Sequence, residues 1–87
     1  MVKKVQNWKR AITYYAHSVE RVTSIEDVQA IISDTKRYPS PVRAMGSHHS
    51  TTRCVVAEGG TVLDMKGMNR ILNIDKEGRR VTMQAGV

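Results

Sequence analysis

The chain has 87 residues, of which 40% are hydrophobic, and it carries a formal net charge of +6. This length allows one small domain or one part of a larger domain, with about 60–65% of the unfolded surface buried on folding. The single cysteine excludes an internal disulfide framework and suits a reducing compartment, so we expect a cytoplasmic location. No apolar run reaches the roughly 20 residues of a bilayer span, and no secretory signal follows the N-terminal lysines.

The first elements in chain order are an entry segment and a strand. Residues 1–16 contain Asn7-Trp8 and two tyrosines, and we expect Trp8 and one tyrosine to anchor this segment on the body of the protein. Residues 16–22 contain β-branched apolar positions and form the first predicted strand.

A helix is predicted next, over residues 25–36. Ser24 is a favourable N-cap, and Asp27 follows it at the spacing of a capping box. Apolar residues then recur at helical spacing, which predicts one buried stripe: Ile25, Val28, Ile31 and Ile32. Lys36 and Arg37 suit the negative end of the helix dipole.

A second strand follows the helix at residues 42–45, after Pro39 and Pro41 have prevented helix continuation. Strand, helix and strand in this order predict a βαβ unit in which strands 16–22 and 42–45 are parallel neighbours. The loop after the second strand would then leave the carboxyl end of a parallel strand, where ligands bind in open α/β sheets.

The C-terminal half is predicted to be mainly strands. Residues 61–65 form a buried strand, and strands 71–75 and 79–84 form a hairpin whose second strand is half-exposed. The fold class is therefore α/β (α+β), with a βαβ unit, a small mainly parallel sheet and a hairpin. We expect three sulfur-containing side chains to be buried as core filling: Cys54, Met65 and Met68.

The residues after the second strand have the chemistry of an anion site. Gly46 permits a sharp turn, and successive backbone N–H groups around such a turn can form a nest for a phosphate. Ser47 and Ser50 add hydroxyl donors, and His49 adds a nucleophilic ring nitrogen. The alternative is that His48 and His49 are loop histidines without a function; we expect no metal site, because adjacent histidines without other ligands rarely form one.

Three stretches of the chain resemble a known family: Pro41–Ser50, Gly59–Leu72 and Val81–Val87. In this order they resemble the FAD-binding domain of the vanillyl-alcohol oxidase / p-cresol methylhydroxylase (PCMH) type. The likeness is greatest to the branch of sugar-lactone and alditol oxidases. It implies that residues 1–87 are the first subdomain of such a domain, without the second subdomain and the substrate domain.

The resemblance also implies a cofactor and its site. The residues that would line the pyrophosphate and ribityl side of FAD are Ala44, Met45, Gly46, Ser47, His48, His49 and Ser50. His49 matches the histidine that is bonded covalently to the 8α-methyl carbon of the flavin, and a one-residue shift of the match would give this role to His48. Arg43 is expected to be a structural residue at the strand end.

The implied function is that of an FAD-dependent oxidoreductase acting on CH–OH groups as part of a longer chain. Its substrate would be a sugar lactone, an alditol or a similar alcohol, and the flavin would accept the hydride. No residue of this chain is assigned as catalytic, and we expect the chain alone to have no turnover. An open sheet edge and an uncovered apolar face would favour self-association of the chain.

The alternative function is a small basic module that binds a nucleotide or nucleic acid without enzymatic activity. The net charge of +6 is compatible with such a module. However, the aromatic residues cluster near the N-terminus instead of alternating with basic residues, as stacking platforms require. No helix-turn-helix or zinc pattern is present in the sequence. The family resemblance therefore predicts FAD, and not nucleic acid, as the partner.

Overall fold

The computed structural model describes residues 2–87, which form seven strands, one α-helix and two short 3-10 helices. The strands are β1 (Lys3–Gln6), β2 (Thr13–Ala16), β3 (Ser18–Arg21), β4 (Val42–Met45), β5 (Thr61–Asp64), β6 (Ile71–Asp75) and β7 (Arg80–Met83). The helix α1 spans Ile25–Ser33, and the 3-10 helices span Arg53–Val55 and Met65–Gly67. This is a small α+β fold with one parallel sheet and two antiparallel hairpins.

The parallel sheet has the strand order β3-β5-β4. All four residues of β5 are buried, whereas the residues of β3 and β4 are partly or fully exposed. The most buried strand therefore occupies the centre, where it is covered on both edges and both faces. The prediction that strands 16–22 and 42–45 are neighbours is wrong, because β5 lies between them; both are parallel to it.

The two faces of the sheet carry two separate hydrophobic clusters. Val62 of β5 packs in one cluster with residues of the N-terminal hairpin, while its neighbour Leu63 packs in the other with Ile31 of α1. Successive side chains of a strand point to opposite faces, so the hairpin covers one face of the sheet and the helix covers the other. Met68 is buried on the helix side and Met65 packs against it, as predicted.

The N-terminal hairpin of β1 and β2 is the element that the sequence did not predict. Its strands pair antiparallel, with Val5 opposite Tyr14. Tyr14 is fully buried in the core, which confirms that a tyrosine anchors this segment. At the turn, the side-chain Oδ1 of Asn7 accepts hydrogen bonds from the backbone N–H groups of Ala11 and Ile12, at 3.0 and 3.1 Å.

The helix begins as predicted and ends early. Ser24 Oγ accepts a hydrogen bond from Asp27 N at 3.2 Å, which confirms the N-cap. The last helical residue is Ser33, because Asp34 Oδ1 accepts from Arg37 N at 3.2 Å and forms a turn that stops the helix. The predicted end at residue 36 is therefore wrong, and the basic residues there lie outside the helix.

The apolar stripe of the helix is narrower than predicted. Ile31 is buried and Val28 packs partly against the core, but Ile25 and Ile32 are exposed. Only one turn of side chains therefore meets the sheet, which agrees with a molecule whose smallest dimension is 15 Å.

The C-terminal hairpin confirms the predicted pairing but not the predicted burial. β6 and β7 pair antiparallel, from Ile71 opposite Met83 to Asp75 opposite Arg80. Every residue of both strands is exposed, so the expectation of a half-exposed second strand is wrong. The hairpin and its surroundings expose six large apolar side chains: Ile71, Leu72, Ile74, Val81, Met83 and Val87. Across residues 2–87, no helix is both long enough and apolar enough to cross a membrane.

Candidate functional site: the Gly46–Ser50 loop

The Gly46–Ser50 loop leaves the carboxyl end of β4, at the edge of the parallel sheet where ligand loops are found in α/β folds. The turn of the N-terminal hairpin lies against it. Three hydrogen bonds join the two segments, and all three are accepted by consecutive carbonyl oxygens of the loop. Trp8 N donates to His48 O at 3.1 Å, and Trp8 Nε1 donates to His49 O at 3.1 Å. Asn7 Nδ2 donates to Ser50 O at 3.2 Å.

We refer to Asn7 and Trp8 as the loop clamp. Asn7 is 3% exposed, and its side chain uses both ends, since Oδ1 closes the hairpin turn and Nδ2 holds the loop. The turn is part of the hairpin of β1 and β2, so the clamp holds the loop in a fixed position against a regular element. The sequence indicated an anchoring role for Trp8; the contact with the loop was not predicted.

The clamp occupies the carbonyl groups of the loop and leaves its N–H groups available. The backbone N–H groups from Gly46 to Ser50 donate to no acceptor among residues 2–87. Successive free N–H groups, with the hydroxyl of Ser47 among them, are the kind of donors that an anion-binding nest uses. The residues present therefore fit a phosphate group, whose charged oxygens accept hydrogen bonds.

The sharp backbone turn is at His48 and not at Gly46. His48 has φ 57°, in the left-handed region, while Gly46 does not have a positive φ. A Cβ added to Gly46 would meet nothing within 4 Å. The prediction that Gly46 supplies the special backbone angle is therefore wrong, and the glycine instead leaves open space beside the loop.

His48 is buried under the loop and contacts Tyr14. Its Nε2 lies 3.3 Å from the Tyr14 hydroxyl, which also lies 3.3 Å from the carbonyl oxygen of Val55. The carbonyl can only accept, so the Tyr14 hydroxyl donates to Val55 and accepts from an N–H at His48 Nε2. Burial raises the pKa of Tyr14, so it remains a neutral donor. His48 Nδ1 is buried and has no hydrogen-bond partner among residues 2–87.

His49 has the opposite environment. It is exposed, and its ring lies 6.0 Å from the Trp8 ring between centroids, at 85° to it. An open pocket of about 420 Å³ lies beside the two rings and is lined by Trp8, His49 and Thr51. The structure therefore distinguishes the two adjacent histidines: His48 is a buried, hydrogen-bonded side chain, and His49 is accessible to a ligand.

Two other polar side chains, those of Arg43 and Cys54, lie near the loop and near one another. Arg43 is exposed and its guanidinium lies 3.5 Å from the carbonyl oxygen of Cys54. Cys54 is exposed, so the expectation that it is buried is wrong. The nearby hydroxyl groups of Thr52 and Ser50 lower the pKa of Cys54, and the positive charge of Arg43 adds to the effect. Within residues 2–87, no group of three or more His, Cys, Asp or Glu side chains is placed to hold a metal ion.

Asp64 ends the central strand and fixes it to β3. Its Oδ2 accepts from Arg21 Nη2 at 3.0 Å, and its Oδ1 accepts from Lys66 N at 3.1 Å. Burial alone would raise the pKa of Asp64, but these hydrogen bonds and the charges of Lys66 and Arg21 outweigh it, so the pKa is lowered. The carboxylate is therefore ionised, and it stabilises the end of the sheet. Its hydrogen bonds go to Arg21 and Lys66 and not to the Gly46–Ser50 loop.

Comparison with known proteins identifies the family. A family model described as "FAD binding domain" matches residues 16–87. The chain is 30% identical over 84 residues to L-gulonolactone oxidase from Bos taurus, a match that covers 97% of this chain and 19% of that protein. It is 30% identical over 80 residues to L-gulono-1,4-lactone dehydrogenase from Mycobacterium tuberculosis, covering 92% of this chain and 18% of that protein.

A plant relative extends the same comparison. The chain is 26% identical over 83 residues to the mitochondrial L-galactono-1,4-lactone dehydrogenase from Arabidopsis thaliana, a match that covers 95% of this chain and 13% of that protein. The chain thus spans less than a fifth of the length of these three relatives. The matched region contains the parallel sheet, the helix, the Gly46–Ser50 loop and the C-terminal hairpin, and on this match the chain belongs to the FAD-binding domain family of the PCMH type.

Proposed function

We propose that residues 1–87 act as the first subdomain of the FAD-binding domain in an FAD-linked oxidoreductase. The observation that carries this proposal is the Gly46–Ser50 loop, with free backbone N–H donors next to an exposed histidine in a chain of the FAD-binding family. Free donors at the carboxyl end of a parallel strand suit the pyrophosphate of a dinucleotide.

The proposed contacts with FAD come from residues Ala44 to Ser50, on the pyrophosphate and ribityl side of the cofactor. His49 is the proposed point of covalent attachment, through a bond between an imidazole nitrogen and the 8α-methyl carbon of the flavin. The accessibility of His49 supports this assignment over His48, whose Nε2 is engaged with Tyr14. Bound FAD would supply the hydride acceptor, while the chain holds and orients it.

The proposed reaction of the whole protein is the oxidation of a carbon that bears a hydroxyl group. The names of the relatives support a sugar lactone, and an alditol or a similar alcohol belongs to the same chemical class. None of the residues at the site has the role of substrate base in this proposal, and we expect no turnover from the 87-residue chain alone. The proposed location of the protein is the cytoplasm.

Acid denaturation tests the covalent bond directly. The full reading frame that encodes this chain is expressed in wild-type form and as the variants His49→Ala and His48→Ala. Each purified protein is denatured with acid, and flavin absorbance is measured in the protein fraction. We expect flavin to remain with the wild type and with His48→Ala, and to be lost from His49→Ala.

The two histidine variants control for one another, since they lie side by side in the same loop. Loss of covalent flavin in His48→Ala alone would transfer the attachment to His48. A wild-type protein that carries neither covalent nor dissociable flavin would contradict the proposed function.

We also propose that the chain by itself self-associates through the C-terminal hairpin. Ile71, Ile74 and Val81 are each about half exposed or more, and exposed apolar side chains on a short hairpin favour contact with a second copy. Size-exclusion chromatography of the wild type against the variant Ile74→Lys measures this. An unchanged elution volume at increasing protein concentration would contradict the proposal.

A further inference from the structure

Two hydrogen bonds of Trp8 reach the two peptide groups that flank the Cα of His49. Trp8 N donates to His48 O at 3.1 Å, and Trp8 Nε1 donates to His49 O at 3.1 Å. Each peptide group is planar, so the backbone at one residue is free to rotate only about the two bonds of its Cα. Holding the planes on both sides of His49 therefore fixes its φ and ψ, and with them the direction of its Cα–Cβ bond.

Asn7 holds the next peptide group of the loop through a buried amide. Its Nδ2 donates to Ser50 O at 3.2 Å, while its Oδ1 accepts from two backbone N–H groups of the hairpin turn. A flipped amide would point its NH2 group at these two donors, so the turn determines the orientation of the amide. Asn7 and Trp8 thus hold three consecutive peptide groups of the loop, and the first two of them flank His49.

The clamp does not touch the groups that are proposed to bind the pyrophosphate. It engages carbonyl oxygens only, and within residues 2–87 the backbone N–H groups from Gly46 to Ser50 have no acceptor. Loss of one clamp hydrogen bond therefore leaves the donors for a phosphate in place. It changes how narrowly the backbone holds His49.

We infer that the loop clamp positions His49 for its bond with the flavin, and that the clamp sets the rate at which this bond forms and not the affinity for FAD. The inference rests on the proposed function, since it takes His49 as the attachment point. Joining an imidazole nitrogen to the 8α-methyl carbon replaces one N–H and one C–H bond by a C–N bond, and the two protons and two electrons released reduce dioxygen to hydrogen peroxide. Asn7 and Trp8 exchange neither protons nor electrons in this reaction, so both are positioning residues. Their contribution is the rate advantage of a nucleophile that is already oriented.

The test measures bond formation and does not depend on substrate turnover. The full reading frame that encodes this chain is expressed in cells starved of riboflavin, and the protein is purified without flavin. FAD is added at a range of concentrations in air-saturated buffer, and samples are denatured with acid at successive times. Flavin absorbance in the protein fraction then gives the maximal rate at saturating FAD and the FAD concentration at which the rate is half-maximal.

Two variants each remove one donor of the clamp and keep the rest of the side chain. Asn7→Asp retains an acceptor for the hairpin turn and loses the Nδ2 donor, and Trp8→Phe retains an aromatic ring and loses the Nε1 donor. We expect each to lower the maximal rate about 10-fold and to leave the half-saturating FAD concentration unchanged. Gln6→Ala is the matched control, because it removes a hydrogen bond to Thr13 in the same hairpin and away from the loop; its maximal rate should equal that of the wild type.

The outcomes separate this inference from the proposed function. If the wild type forms no covalent bond with FAD, the attachment at His49 is contradicted and the inference fails with it. If the wild type forms the bond and both variants reach its maximal rate, the inference is wrong and the attachment stands. A higher half-saturating concentration at an unchanged maximal rate would assign the clamp to FAD binding and would also overturn the inference.

Thermal unfolding of the flavin-free proteins distinguishes positioning from support of the fold. The Nε1 hydrogen bond of Trp8 is exposed, so we expect Trp8→Phe to melt within about 4 °C of the wild type. Slower bond formation at this melting temperature supports positioning. A larger fall in the melting temperature of Trp8→Phe would assign the clamp to the stability of the fold and overturn the inference, whatever the behaviour of Asn7→Asp.

Discussion

Replacing His48 by glycine and by alanine measures the backbone strain stored in the loop. Both variants lose the same imidazole contacts, including the one with Tyr14, so the difference between them depends on the backbone. At φ 57° a side chain costs about 1–2 kcal/mol. Glycine lacks that cost but loses about 0.4–1 kcal/mol through the greater freedom of the unfolded chain. We therefore expect His48→Gly to be more stable than His48→Ala by roughly 1 kcal/mol.

The same pair of substitutions at the neighbouring position is the control. Ser47 has no positive φ, so Ser47→Gly should be less stable than Ser47→Ala by about 0.4–1 kcal/mol. The assay is urea unfolding followed by the fluorescence of Trp8, and a difference of 1 kcal/mol also shifts the melting temperature by about 4–8 °C in a domain of this size. The reasoning is refuted if His48→Gly is no more stable than His48→Ala. It is also refuted if the difference in the free energy of unfolding between the glycine and alanine variants has the same sign at positions 47 and 48.

The remaining predictions concern three residues around the sheet and the loop. Gly46→Ala should leave the free energy of unfolding unchanged or raise it by about 0.4–1 kcal/mol, because the new methyl group meets open space, while FAD affinity measured by fluorescence titration should fall. Asp64→Asn should reduce the free energy of unfolding at neutral pH by about 1–2 kcal/mol. The pKa of Asp64 is lower in the folded protein than in the unfolded chain, so Asp64 contributes its full stabilisation when the pH is above the unfolded pKa. This stabilisation is lost as the pH falls through the folded pKa. Unfolding measured at decreasing pH should show the loss in the wild type and not in Asp64→Asn. The lowered pKa of Cys54 predicts that its alkylation by iodoacetamide begins at lower pH than that of an ordinary cysteine peptide, as mass spectrometry can follow.

The sequence predicted those elements whose signals are local. The N-cap Ser24 and the turn between β6 and β7 depend on neighbouring residues alone, and both are present. The helix end depends on Asp34, whose side chain closes a turn with Arg37 N; the apolar spacing carries no sign of that competition. The strand order was not predictable from residues adjacent in the sequence. β5 lies in the centre of the sheet and is buried on both faces, and this depends on elements distant in the sequence.

The position of the Gly46–Ser50 loop in the fold was predictable from the sequence, and the geometry of the loop was less so. The loop lies after β4, as expected from the βαβ pattern, but the left-handed residue is a histidine beside a glycine that was expected to have that role. Glycine is the usual residue at such a backbone angle. The buried contact between His48 and Tyr14 joins residues 34 positions apart, so the local sequence does not reveal it. Cys54 was expected inside because cysteine is usually buried, yet it lies on an exposed 3-10 turn.

The N-terminal hairpin explains how so small a sheet can fix the Gly46–Ser50 loop. In the described part of the chain the loop donates no backbone N–H to an internal hydrogen bond. Its conformation is therefore determined by Asn7 and Trp8, which bind its carbonyl groups, and by the contact of His48 with Tyr14. These contacts join parts of the chain that are about 40 residues apart in sequence. A loop held by its acceptors leaves its donors free for an outside partner, and exposed N–H groups are otherwise hydrated by water. A ligand rich in acceptor oxygens would replace that water, and its binding energy need not be spent on ordering the loop.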